Sequence, residues 1–152
     1  MSDLPIAIRP AEAADLAAVE ALLVAASLPT SGVGQMGDAL LVAEVDGALA
    51  GAAGLEVYSG AGLLRSVVTA PAWRGHGIAG LLVERLLAIA WERGLRRVYL
   101  LTETAGGFFP RFGFRAIPRA DVEAAVRGSA EFSILCPASA VTMVREAPAV
   151  TG

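Results

Sequence analysis

A single cysteine, Cys136, stands in 152 residues, so no disulfide framework can form within the chain and no cysteine cluster can hold zinc. Basic charge is scarce as well: 12 Lys and Arg face 15 Asp and Glu, and a net charge of −3 gives no electrostatic footprint for nucleic acid. The opening MSDLPIAIRP lacks a basic segment followed by an apolar run, which speaks against a signal peptide. No stretch of about 18 apolar residues avoids charges or turn-forming residues, so no membrane span is expected. Hydrophobic residues, by contrast, make up 55% of the chain, too many for a disordered polypeptide. The length suits one domain with a real core, read as residues 1–148 with a short tail at 149–152. These features fit a cytoplasmic protein and leave its activity open.

The apolar periodicity divides the chain into short elements. IAIR (6–9) reads as a strand ahead of Pro10, and a helix follows over about Ala13–Ser27, with Leu16, Val19, Leu22, Leu23 and Ala26 at helical spacing. Asp15 near its start suits the positive end of the helix dipole. LPTSGVGQMG (28–37) is too rich in Gly, Pro and Ser for a long helix. Three strands follow, LLVAEV (40–45), LAGAAGLEVY (49–58) and LLRSVVT (63–69), joined by the turns Asp46-Gly47 and SGAG (59–62), as in an antiparallel meander. The alanines and glycines of the middle strand imply that something packs closely against it. A helix spans about Gly77–Arg93, with Gly94 placed to end it. Strands at 96–102, 114–117 and 140–146, and short helices within 105–114 and 121–128, complete an α/β chain: a mixed sheet covered by helices.

WRGHGIAGLL (73–82) places Gly75, Gly77 and Gly80 between a strand and the longest helix of the second half. Three glycines alone imply only a tight strand–helix connection. Their context adds a function. The first amides of a helix lack intrahelical partners and the dipole there is positive, so an anion is a natural ligand. Glycine lets backbone approach that anion because no Cβ intervenes. The spacing is not the Walker form, since no Gly-Lys-Ser/Thr follows. It is not the dinucleotide form either: Arg96-Arg97 stand where an acidic strand end is needed, and the preceding strands are hairpin-connected.

Arg74-Gly75-His76-Gly77-Ile78-Ala79 instead resembles the Gln/Arg-x-x-Gly-x-Gly/Ala pattern of the GNAT family of N-acetyltransferases. IRPAEAADLAAVEALL (8–23) is similar to that family's opening strand and helix, 63–100 to its cofactor core, and FFPRFGF (108–114) to its later Phe-Tyr-x-x-x-Gly-Phe segment. The resemblance implies a mostly antiparallel mixed sheet of about seven strands flanked by helices, and acetyl-CoA as cosubstrate with no metal. It implies that the backbone of Val67, Val68 and Thr69 meets the pantetheine arm. Arg74, Gly75, His76, Gly77, Ile78, Ala79 and Gly80 would form the pyrophosphate loop, with Ala79 a tolerated variant and His76 at a variable position outside the chemistry. Many members carry a tyrosine that protonates the leaving thiolate; Phe109 stands at that position and has no proton to give. A thiolate leaves readily enough that a dedicated acid is not essential.

LTETAGGFFPRFGF (101–114) also resembles the acetyltransferase domain of N-acetylglutamate synthases, and with GLEVYSGAGLLRSV and LCPASA the chain resembles amino-acid acetyltransferases encoded in arsenic-resistance operons. The expected acceptor is the amine of a small amino acid or an amino-acid-like compound, an arsenical among them; a homodimer is compatible with this. Two other readings stay open: a protein or peptide N-acetyltransferase, and an acyl-CoA sensor without catalysis. Cys136 is a poor site for trivalent arsenic, which prefers several thiolates.

Direct attack of an amine on a thioester needs both partners held in geometry, a base or a route to water for the ammonium proton, and a donor for the oxyanion. In this family a backbone N–H of the fourth strand supplies the donor, here that of Val68. Glu56 and Arg65 are the charged residues of two apolar strands. If SGAG pairs Ser59 with Gly62, Glu56 falls directly opposite Arg65, as a simple ion pair or as base and carboxylate anchor. The two roles conflict in part, because a carboxylate locked to arginine is the weaker base. Tyr58 shares a strand face with Glu56 and either lines the acceptor pocket or is an ordinary half-buried tyrosine.

Overall fold

The structure, a computed structural model, describes residues 5–102, 107–128 and 140–148. Seven strands form one mixed sheet in the order β1-β2-β3-β4-β5-β7-β6: β1 Ile6–Pro10, β2 Leu40–Val45, β3 Ala48–Val57, β4 Ala61–Thr69, β5 Arg97–Thr102, β6 Arg115–Ile117 and β7 Val141–Glu146. Among the described residues the α-helices are α1 Leu16–Ala25, α2 Ile78–Glu92 and the single turn α3 Ala124–Arg127. The expected α/β class, the strand count and the order of elements all hold. The expected tail at 149–152 and Cys136 lie outside the described residues.

The chain forms two compact units, one of Met1–Leu55 with Arg65–Leu86 and one of Glu56–Leu64 with Leu87–Gly152. In the first, β1 pairs antiparallel with β2, and β2 with β3, with a register shift between Ala43 and Glu44. Val19 and Leu23 of α1 pack with Val33, Met36, Leu40, Val42, Ala52 and Val68, all buried. The helical spacing of the apolar residues in 16–25 is thereby explained: one stripe faces the sheet. The segment 13–27 is not one continuous helix, because Ala13–Asp15 form a separate 3₁₀ turn and α1 stops at Ala25. Asp15 does more than face a dipole. Its carboxylate accepts the Glu12 backbone N–H at 2.7 Å and a bidentate contact from Arg9, whose Nε also reaches Glu44 at 2.6 Å. Arg9 first, then the Glu12 amide, holds the Asp15 carboxyl down at about 2.

In the second unit, β5 runs parallel to the start of β4, with Ala61 beside Arg97 and Leu63 beside Tyr99. β7 lies antiparallel to both β5 and β6. Ala61, Leu63, Tyr99, Val122, Val126 and Val144 form its buried core. The Tyr99 hydroxyl donates to Glu123 at 2.9 Å, and burial, then Glu123, pushes its pKa up. Arg97 links Glu123 and Glu146 at 3.3 and 3.4 Å. These charges line a surface pocket of ≈ 330 Å³ that contains none of the residues expected at the reaction centre. Their mutual pairing ties the α3 segment to the sheet.

Candidate active site

The loop after β4 has the form an anion cradle requires. Gly75 and Gly77 adopt φ of +85° and +76°, a region that penalises every residue with a Cβ, and no heavy atom lies within 4 Å of where such a Cβ would stand. The glycines are thus required by backbone handedness, and the space beside them is open. The Leu81 N–H is bonded to the Gly77 carbonyl at 3.1 Å, so Gly77 caps α2, and the N–H groups of Ile78, Ala79 and Gly80 are first-turn amides with no intrahelical acceptor. Gly80 therefore sits within the helix rather than in the loop. Arg74, Gly75, His76 and Gly77 are exposed, and the Trp73 and His76 rings meet edge-on at 5.9 Å.

The strand leading to this loop is held from behind. A Cβ on Gly51 of β3 would lie 2.8 Å from the Val68 carbonyl oxygen and 3.1 Å from Ile78 Cγ2. β3 therefore approaches both the end of β4 and the head of α2 as closely as backbone allows. The Ala70 N–H completes the contact by bonding to the Ala50 carbonyl at 2.8 Å. A second glycine of β3, Gly54, accommodates Met36, whose sulfur and terminal methyl fill the space of the missing side chain. The close packing expected against the middle strand is realised at these two positions. Val67 and Thr69 are half-buried and Val68 is buried, all three within β4.

β4 departs from a regular strand at Ser66, which has φ of +62°. Its hydroxyl accepts from Arg65 Nε at 3.3 Å, and Arg65 Nη2 reaches the Pro29 carbonyl at 3.5 Å. Both side chains are buried, with Arg65 only 3% exposed. Neither Ser66 nor Pro29 stood out in the sequence, where a serine inside an apolar strand was the available signal.

Glu56 and Tyr58 do share a face: the tyrosine hydroxyl donates to Glu56 Oε1 at 2.5 Å. The hairpin closes differently from the expected register, however. Tyr58 and Ala61 exchange backbone hydrogen bonds of 2.8 and 3.4 Å around Ser59-Gly60, and Gly60 takes the positive φ of +77° that the turn needs. Counted from that turn, the residue opposite Glu56 is Leu63. The cause is local: SGAG contains two candidate turn centres, and the pair ending in a left-handed glycine closes the hairpin. Phe109 is buried and packs edge-on against Phe108 and Phe114, with centroids 5.0 and 5.9 Å away. Among the described residues no group of three or more His, Cys, Asp or Glu could hold a metal ion, and no helix is long and apolar enough to cross a membrane.

A positive-φ glycine loop thus lies between a distorted fourth strand and the head of α2. The model of the acetyltransferase (GNAT) domain matches residues 37–116. The chain belongs to the GNAT acetyltransferase family. Its fold superposes on Mycobacterium tuberculosis Rv2747, solved with CoA and NLQ, with a TM-score of 0.80 and 28% identity over 93% of this chain and 99% of that one. The Neisseria gonorrhoeae N-acetylglutamate synthase, solved with coenzyme A and N-acetyl-glutamate, shares the fold at a TM-score of 0.80 and 19% identity, over 95% of this chain and 36% of that one. A curated relative, the amino-acid acetyltransferase of M. tuberculosis H37Rv, is 43% identical over 82 residues. That match covers 53% of this chain and spans 46%, about half, of the relative's length. The expected likeness to N-acetylglutamate synthases and amino-acid acetyltransferases is thus met; a likeness to the arsenic-operon subgroup is not among these findings.

Proposed function

We propose that this GNAT enzyme transfers the acetyl group of acetyl-CoA to the α-amine of a free amino acid or an amino-acid-like compound in the cytoplasm. The observation that carries the cosubstrate is the Gly75–Gly77 loop, which turns backbone toward open space at the head of α2. There the amides from Gly75 through Gly80, with Arg74 and His76 beside them, bind the pyrophosphate; the backbone of Val67, Val68 and Thr69 takes the pantetheine arm. CoA in the Rv2747 structure and the amino-acid acetyltransferase name of the 43%-identical relative support the reading.

The amine nitrogen attacks the thioester carbonyl, the Val68 N–H stabilises the oxyanion, and the C–S bond breaks to release the thiolate. Glu56 takes the ammonium proton, directly or through water, and its orientation is set by the Tyr58 hydroxyl. The thiolate leaves without a tyrosine acid, since Phe109 is a buried hydrocarbon. Arg65 binds the acceptor's carboxylate, and this selects free amino acids over peptides and simple amines.

Acceptor discrimination tests this. The wild type should prefer an amino acid over the matching decarboxylated amine, with arsenical amino-acid analogues and peptides as further arms. Arg65→Ala should raise the amino-acid KM roughly ten- to a hundredfold, as for a lost charge-assisted hydrogen bond, and abolish the preference. Equal discrimination by the wild type and Arg65→Ala would remove the carboxylate anchor.

A further inference from the structure

In a regular strand, consecutive side chains point to opposite faces. Arg65 and Ser66 are consecutive in β4, yet Arg65 Nε donates to Ser66 Oγ at 3.3 Å. The positive φ of Ser66, +62°, breaks the alternation and allows its hydroxyl to face the neighbour. A residue with a Cβ is penalised in this region and persists there only where its surroundings enforce it. Both groups are also buried, Ser66 at 7% exposure and Arg65 at 3%. A buried guanidinium must have acceptors, and Nε is the donor whose partner fixes rotation of the planar fork about the Cδ–Nε bond. That rotation decides whether the fork can meet a carboxylate squarely.

We infer that Ser66 is a positioning residue for acceptor recognition: its hydroxyl, turned back by the left-handed backbone, sets the plane of the Arg65 guanidinium. This rests on the reading of Arg65 as carboxylate anchor. Ser66 itself touches no reacting atom. Its removal should therefore change which acceptor is preferred, rather than the affinity for acetyl-CoA.

The test compares Ser66→Ala, Ser66→Gly and Arg65→Ala in the ratio of kcat/KM for an amino acid to that for its decarboxylated amine. Calorimetry gives the acetyl-CoA Kd, and circular dichroism confirms folding. Ser66→Ala keeps a Cβ at the strained position and removes only the hydroxyl; Ser66→Gly removes the hydroxyl and relieves the strain. Both should lower the ratio about three- to tenfold, short of the loss in Arg65→Ala, and keep the acetyl-CoA Kd within about twofold. If Arg65→Ala loses the preference while Ser66→Ala and Ser66→Gly keep it, the role of Ser66 is refuted and the anchor stands. If Arg65→Ala keeps it, the anchor falls and the role of Ser66 with it. A large loss of acetyl-CoA affinity in both serine variants, with the ratio unchanged, would make Ser66 a part of the cofactor strand only.

Discussion

Replacing Gly51 with alanine adds one methyl group at the point where β3 supports both the fourth strand and the head of α2. The new Cβ would stand 2.8 Å from the Val68 carbonyl oxygen, 3.1 Å from Ile78 Cγ2 and 3.5 Å from Leu82 Cδ1. The first obstacle is backbone and cannot swing aside; the second belongs to a side chain only 1% exposed. The oxygen must recede by roughly half an ångström to reach ordinary contact. Overpacking of this kind costs about 1–3 kcal/mol, against a gain of about 0.5–1 kcal/mol for replacing a strand glycine by alanine. The net expectation is a loss of about 1–2 kcal/mol, seen as a Tm lower by roughly 2–8 °C for a chain of this size. The displaced groups adjoin the backbone assigned to pantetheine and pyrophosphate, so the acetyl-CoA Kd should rise about tenfold, since misplacement on this scale is costly in a preorganised site. Denaturation and calorimetry on the same preparation measure both. Gly54→Ala is the control: the obstacle there is the flexible end of Met36, which can rotate away, so acetyl-CoA binding should hold. Wild-type Tm and Kd in Gly51→Ala would refute the claim that close packing at this glycine shapes the cofactor strand.

Gly77→Glu forces a left-handed backbone on a residue with a Cβ and brings a negative charge to the anion cradle; acetyl-CoA binding by calorimetry should be lost while circular dichroism shows the fold retained. Asp15→Asn removes the negative charge and one of the two carboxylate oxygens that Arg9 and the Glu12 amide engage. The folded Asp15 carboxyl lies at about 2, below its ordinary 3.8, so its contribution is complete above pH 4 and disappears as pH falls toward 2. Thermal melts should show Asp15→Asn a few degrees below wild type at pH 7 and converging with it near pH 2; a constant gap across that range would refute the assignment.

The parts of this molecule that follow local rules were legible in the sequence. The strand at Leu40–Val45 and the helix at Ile78–Glu92 carry periodicities with a single good solution, and Gly75 and Gly77 combine loop chemistry with a helix start. The alanine- and glycine-rich third strand announced a close approach, although nothing in its composition says that the Val68 carbonyl occupies that space. The hairpin register was not legible, because SGAG offers two turn centres and the choice depends on which glycine goes left-handed. Ser66 was invisible for a related reason: alternation assigns residues 65 and 66 to opposite faces, and only a broken alternation brings them together. The residues proposed for function lie where the backbone leaves its regular geometry, and periodicity carries the least information there.

The proposed acetyl transfer to a free amino acid is open to test on the wild-type protein alone. The most direct measurement incubates the purified wild-type protein with acetyl-CoA and a panel of amino acids, their decarboxylated amines and short peptides, and identifies acetylated products by mass spectrometry alongside thiol release. One or more free amino acids should be N-acetylated, with the matching amines and peptides poor acceptors. Tight acetyl-CoA binding with no acetylated product, or products confined to peptides, would contradict that transfer.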